Sequence, residues 1–391
     1  MTTDEDALRR EIKGLYPKRA KGDLTEKAFQ RDLAARTVDL YRKLIEGRLA
    51  GGETIEIEHH VVQAHMKVTQ SVLRESEQEA VSLFATGTRL FRLKSTLMPN
   101  RPPTADAEDN TTVDVTPGPL SGIKSGVSGL AANGAGQVVL NAGDVIQIVT
   151  KSGTNDLTGS LITADKSVQV ISGHQCTFIP STVGYCDHLE ESTFPYETLA
   201  SRYVVTATLI NPTTTKAQMV RIVATKDNTA LTYNPPQPGA PGTIATAGQY
   251  VELDSIDADF QITADNPILV TQYMTGQDAG GNAGDPAMTL AVATDQFRKT
   301  YLFHAPTNYS SNYVNVVAPT GIPVILDGAL LGGFTPIGTT GYSVSRASLS
   351  NAGNGNHSIS ASQGIGITVY GYGQYTSYWY PGGLNLTKLH D

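Results

Sequence analysis

The sequence predicts a mainly β protein: tandem β-sandwich-like repeats, the first of them truncated, preceded by a separate α-rich or α+β N-terminal region. Three observations predict it. Charge divides the chain, with 17 Lys/Arg and 15 Asp/Glu in residues 1–100 against the remaining 12 and 22 in residues 101–391. The downstream part repeats itself at a period of about 100 residues, the mark of a repeated structural unit. Within each repeat, short alternating runs are separated by Gly, Pro and Asn, with no amphipathic helical run between them.

In the charged region a helix is expected over residues 5–15, closed by Pro17, and a second over 25–50. In the second, Thr25 serves as N-cap, Phe29, Leu33, Leu40 and Leu44 form the apolar stripe, and Gly51-Gly52 is the stop. Thr54 to Glu58 alternates like a strand, and residues 60–79 read as helical. Runs 80–85 and 89–94 flank Thr86-Gly87-Thr88 as a hairpin that loosely resembles the strand-turn-Arg-strand of bacterial PH-like domains; an ordinary amphipathic hairpin is the preferred reading. His59, His60 and His65 lack the i, i+4 spacing of a zinc-binding helix and read as solvated. The Pro-rich stretch 99–107 is a linker by composition. The resulting division is 1–98, linker 99–107, and repeats over 108–195, 196–295 and 296–391.

The repeat rests on particular residues. Ile162-Thr163-Ala164-Asp165 returns as Ile262-Thr263-Ala264-Asp265, and more weakly as Ile359-Ser360-Ala361-Ser362, each expected to be a polar turn leading into an alternating strand, the turn fixed by Pro267 after Asp265-Asn266 in the second copy and by Gly364 after Gln363 in the third. Asp109-Asn110-Thr111 returns as Asp227-Asn228-Thr229, and Gly143 as Gly248. The second and third repeats open with strands near Tyr203 and Met219, and near Tyr301 and Tyr313. Nothing like them precedes Asp109, so an exposed sheet edge is expected in the first repeat. Residues 118–136, rich in Gly and Ser, read as a flexible loop.

The only two cysteines, Cys176 and Cys186, lie ten positions apart beside His174 and His188. A zinc site using these residues and Asp187 fits none of the usual ligand spacings. A Cys/His nucleophile pair would be poorly positioned on a ten-residue loop. A disulfide is the preferred reading; it closes a short loop, suits an extracellular β protein and stabilises by roughly 2–3 kcal/mol. The loop is expected on the crossover between the first and second repeats.

The run Ser172-Gly173-His174-x-Cys176, then Pro180, Cys186-Asp187-His188-Leu189-Glu190-Glu191 and Pro195, resembles the signature of the IgGFc-binding protein N-terminal domain family. So do Asp265 to Val270, Asp285 to Thr289, Asn312 to Val316, Tyr370 to Gly373 and Tyr380 to Gly383, so that the similarity spans about residues 108–384. The resemblance implies secreted or surface-attached β modules, many of them bacterial, that bind or adhere and bring no catalytic residues or cofactors. The acidic N-terminus (Asp4-Glu5-Asp6) lacks the basic start and apolar core of a secretory signal. Taken literally the chain begins in the cytoplasm, and the charged region reads as a fusion to an exported β protein.

The function expected is thus a non-catalytic extracellular or cell-surface module with a protein or glycan ligand. Nucleic acid is excluded because residues 101–391 lack a basic face, and no run is long and apolar enough for membrane insertion. His174, His188, Tyr372, Tyr375, Tyr378 and Trp379 are the candidate ligand surface, although packing is the commoner use of such an aromatic stretch. Alternatives are a structural surface protein, or a carbohydrate- or peptide-active hydrolase pairing carboxylates among Asp254, Asp257, Asp259, Asp278 and Asp285, which retaining chemistry needs about 5 Å apart. The Asp278–Asp285 loop lacks EF-hand spacing for calcium.

Overall fold

The computed structural model describes residues 109–119, 121, 128–150 and 155–390. The helices, strand, hairpin, histidines and linker expected in the first 107 residues lie outside them. Among the described residues strands dominate, and the helical elements are short 3-10 turns at Tyr196–Thr198, Gln277–Ala279 and Thr294–Gln296. The chain divides into two compact units. The described residues of the smaller are 109–112, 139–147 and 165–167, and the larger holds the rest.

In the larger unit, two curled sheets are each built around one long strand. Phe260–Met274 pairs over its first part with Ala200–Val205 and Thr229–Asn234, and over its second with Gln218–Ala224 and Ala287–Leu290. Asn356–Gly373 repeats the arrangement with Arg298–His304 and Val324–Leu326, then Ser311–Pro319 and Thr376–Pro381. Tyr250–Ile256 and Tyr342–Leu349 extend the two sheets at matching places.

Local sequence explains the long strands. Alternation buries Phe260, Ile262, Ala264, Ile268, Val270 and Met274, and the same period buries Ile359, Ile365, Ile367 and Val369. The turns expected at Asp265-Asn266-Pro267 and Gln363-Gly364 are instead bulges inside continuous strands, where pairing shifts between Thr263 and Ile268 and between Ser360 and Ile365. A bulge leaves one residue out of the ladder, so Pro267 can sit there without an N–H.

The recurring residues have recurring tasks. The Tyr203 hydroxyl donates to Ile268 O (2.7 Å) and accepts from Ala200 N (3.1 Å); Tyr301 does the same between Ile365 O and Arg298 N. Asp265 Oδ1 accepts from Ala230 N (2.9 Å), and Asp227 Oδ1 from Ala247 N (2.9 Å). In the smaller unit Asp165 accepts from Thr112 N (2.8 Å) and Asp109 from Ala142 N (2.9 Å). The register agrees, with Val113 opposite Ala164 as Leu231 is opposite Ala264. Parts of the stretch expected to be a flexible loop are held: Gly134 N bonds Ala131 O (2.8 Å), and Leu130 bridges Gly136.

The two curled sheets pack through a mixed interface. Leu209, Met274 and Ala287 meet Tyr313, Tyr370, Tyr372 and Trp379. Tyr370 OH accepts from Leu209 N (2.8 Å) and donates to Asn315 Oδ1 (2.8 Å), while Asn315 Nδ2 donates to Ala207 O (2.9 Å), so the buried Tyr370 hydroxyl and Asn315 amide are satisfied across the seam.

Candidate functional site

Three hairpins of the larger unit bring their ends together. In the first, Ile171–Thr177 pairs with Asp187–Ser192, and Cys176 is joined to Cys186 with 5.1 Å between Cα atoms. The disulfide consumes both thiols, which leaves neither a thiolate ligand nor a nucleophile. Its place corrects the expectation of a crossover clasp: the loop is the end of a paired hairpin, because the strands flanking it bond to each other.

The second end is the loop 275–286. Lys216, buried, donates from Nζ to Thr275 O (3.0 Å), Gly276 O (3.1 Å) and Ala283 O (3.0 Å), so three carbonyls take the three protons of its ammonium. Burial lowers its pKa to about 8, against the pull of Asp285. Asp285 is buried, pushed up to about 6 by burial and then by Asp187, with Lys216 opposing. The third end is the tight turn Gln374-Tyr375.

These ends interlock. Gly276 N donates to Ile179 O (2.8 Å), and a Cβ at Gly276 would lie 3.1 Å from Gly184 O, so the first two loops touch backbone to backbone. Tyr375 N donates to Gln277 Oε1 (2.9 Å), Gly284 N to Gly373 O (2.8 Å) and Asp285 N to Ser377 Oγ (2.8 Å). Beneath them Ile179 and Leu189 pack on Tyr273 and Met288.

On this base sits an exposed aromatic pair. The rings of Tyr185 and Tyr375 lie 4.8 Å apart, and the residues are 49% and 45% exposed. Both are held at positive φ, 66° and 52°, a backbone region that bulky L-residues seldom occupy. Hydrogen bonding to Tyr375, then the charges of Tyr375 and Asp278, raise the Tyr185 hydroxyl above its ordinary value. Phe178, in the same loop as Tyr185, is also exposed.

The family model for IgGFc binding protein matches residues 105–371, more than half of the chain. The chain belongs to this family. No curated protein matches it. Membership, with the disulfide, points to an extracellular binding module and to ligands of protein type, and the IgGFc-binding family is not a known enzyme family.

Of the residues expected at the ligand surface of this family member, Tyr375 comes to this end, which also holds the Cys176–Cys186 disulfide. Tyr372, Tyr378 and Trp379 are buried and leave that surface. Their alternation puts them against the neighbouring sheet or core, where Tyr372 OH meets Thr208 Oγ1 (2.7 Å) and Tyr378 OH donates to Asn312 Oδ1 (2.6 Å). His174 is exposed, but its Nδ1 accepts from Cys176 N (3.1 Å) within the hairpin bulge. His188 Nε2 lies 3.3 Å from Glu190 Oε2, and this hydrogen bond raises its pKa against burial. Asp259 is engaged by Arg346 and by Ala207 N (3.0 Å), which removes it from a carboxylate pair. Sequence reasoning missed Tyr185, Phe178 and Gln277; only the Gly184-Tyr185-Cys186 turn hinted at the first.

Proposed function

We propose that this chain is a non-catalytic adhesion or binding module of the cell exterior that holds a protein ligand on the paired tyrosines Tyr185 and Tyr375. The observation that carries this reading is the pair itself: two large exposed aromatics in strained backbone conformations, at the point where three hairpins interlock. Strain of this kind is retained where the surroundings over-determine it, commonly at ligand contacts. Tyrosine presents a large, rigid, amphipathic surface at small entropic loss, which suits protein recognition. Phe178 extends the apolar area, and Asp278 sets an acidic margin.

The family description names the Fc of IgG, and immobilised Fc is the first protein probe to use, beside a glycan array. Saturable binding of the full chain to the protein probe, weakened about tenfold or more by Tyr185→Ala with Tyr375→Ala, is the expected result. Binding indifferent to that double substitution, or binding to glycans alone, would sink the reading.

A further inference from the structure

The first hairpin differs from its two counterparts in what lies along its outer edge. One backbone bond anchors the comparison: Thr193 N donates to Val170 O (2.9 Å), Ala291 N to Val270 O (2.9 Å) and Gly382 N to Ile367 O (3.0 Å). Val170, Val270 and Ile367 therefore hold the same place. In an antiparallel strand alternate residues direct their N–H and C=O to opposite sides. Counting from the anchor, Thr271 and Tyr273 face away from their hairpin partner and pair with Arg221 and Met219. Thr368 and Tyr370 likewise pair with Asn315 and Tyr313. The matching residues of the first hairpin are Ile171 and Gly173, and their strand pairs with Asp187–Ser192 alone among the described residues.

An apolar face is open beside that edge. Ile268 and Ile365 are 0% exposed, whereas Val168, in the same register, is 42% exposed. Val220 and Ile222 bury the first and Val314 and Val316 the second; among the described residues no strand covers Val168 in the same way. Natural edges are normally protected by charge or proline. Ile171–Thr177 contains neither.

We propose that the Ile171–Thr177 edge is a strand-acceptor site for an extended segment of a separate polypeptide with apolar side chains at every second position. It goes beyond the tyrosine surface: the segment takes the place that Gln218–Ala224 and Ser311–Pro319 hold in the other two sheets. Backbone bonds to Ile171 and Gly173 supply affinity, and the alternate apolar residues cover Val168, which supplies selectivity. Gln218–Ala224 itself shows the pattern, with Val220, Ile222 and Ala224 turned inward. Glu190, on the outward face of the partner strand, favours a donor with a basic residue at an outward position, as Arg221 is in Gln218–Ala224.

The test uses the full chain and three synthetic peptides: Gln-Met-Val-Arg-Ile-Val-Ala, copying residues 218–224; the same peptide with two of its inward residues, those copying Val220 and Ile222, changed to Glu; and the first N-methylated at alternate residues. Residue-resolved amide exchange is read at Ile171 and Gly173. The expected result is slowing by about tenfold or more with the first peptide only, abolished by Ile171→Pro, which removes one outward donor. Four outcomes overturn the proposal: no slowing with excess first peptide, equal slowing by all three, full protection before any peptide is added, or protection that grows with protein concentration alone. The third would mean that this chain fills its own edge, and the fourth that a second copy does.

Discussion

The first hairpin and the second are built on one register and secured in different ways. In the first, a disulfide closes the loop, the outer edge has no partner strand among the described residues and Val168 is 42% exposed; in the second, Lys216 gathers three loop carbonyls, Gln218–Ala224 covers the edge and Ile268 is fully buried. The difference teaches that a hairpin without a neighbouring strand relies on a covalent link, where one embedded in a sheet can rely on packing. Short loops gain less from a crosslink than long ones, yet a lone two-stranded ribbon has little else to hold it.

The largest effect that could break the comparison lies in the core. Ile268→Ala is expected to destabilise by about 2–5 kcal/mol, and Val168→Ala, at the matching place, by less than about 1 kcal/mol, as read from denaturant unfolding of the full chain. Equal losses at the two positions would mean that the first sheet buries a core after all. Next in size is the disulfide. Cys176→Ser with Cys186→Ser is expected to lower stability by roughly 2–3 kcal/mol and to expose the 178–185 loop to protease ahead of global unfolding. Unchanged proteolysis would mean that Ile179 and Leu189 hold the loop unaided.

The smallest effect is a pH dependence. Burial lifts Asp285 from 3.8 to about 6, so the fold prefers its neutral form; the associated stability is complete below pH 3.8 and is lost as pH rises through 6. Glu191, lifted to about 8 by burial and Glu190, and His188, raised by its bond to Glu190, act in the same direction. Lys216, lowered to about 8, loses its stabilising contribution as pH falls through 8 and stays charged below. The melting temperature is therefore expected to rise as pH falls from 7 to 5, and Asp285→Asn to remove part of that rise. A melting temperature indifferent to pH in Asp285→Asn and native protein alike would show that the second loop holds no buried carboxylic acid.

Much of the fold was legible because it is local. Ile262-Thr263-Ala264-Asp265 returned because each copy holds the same register and pins the same turn, and the two cysteines lay within reach of one hairpin. Pro267 misled for a local reason too: proline marks turns and strand bulges alike, and neighbouring strands decide which. The site was less legible. Tyr372, Tyr375, Tyr378 and Trp379 form one aromatic stretch in the chain, yet only Tyr375 reaches solvent, because a two-residue turn tips it out of the alternation that buries the others.

The sequence by itself determined the β class and the recurrence of its units and favoured the pairing of Cys176 with Cys186, since alternation, turn chemistry and short loop closure act over a few residues. Only the tertiary structure decided that Tyr185 meets Tyr375 and that the open edge expected in the first repeat falls on Ile171–Thr177, which has one partner strand among the described residues. Both depend on which strand lies beside which, and an alternating pattern states that a strand has an inner face without stating what covers it.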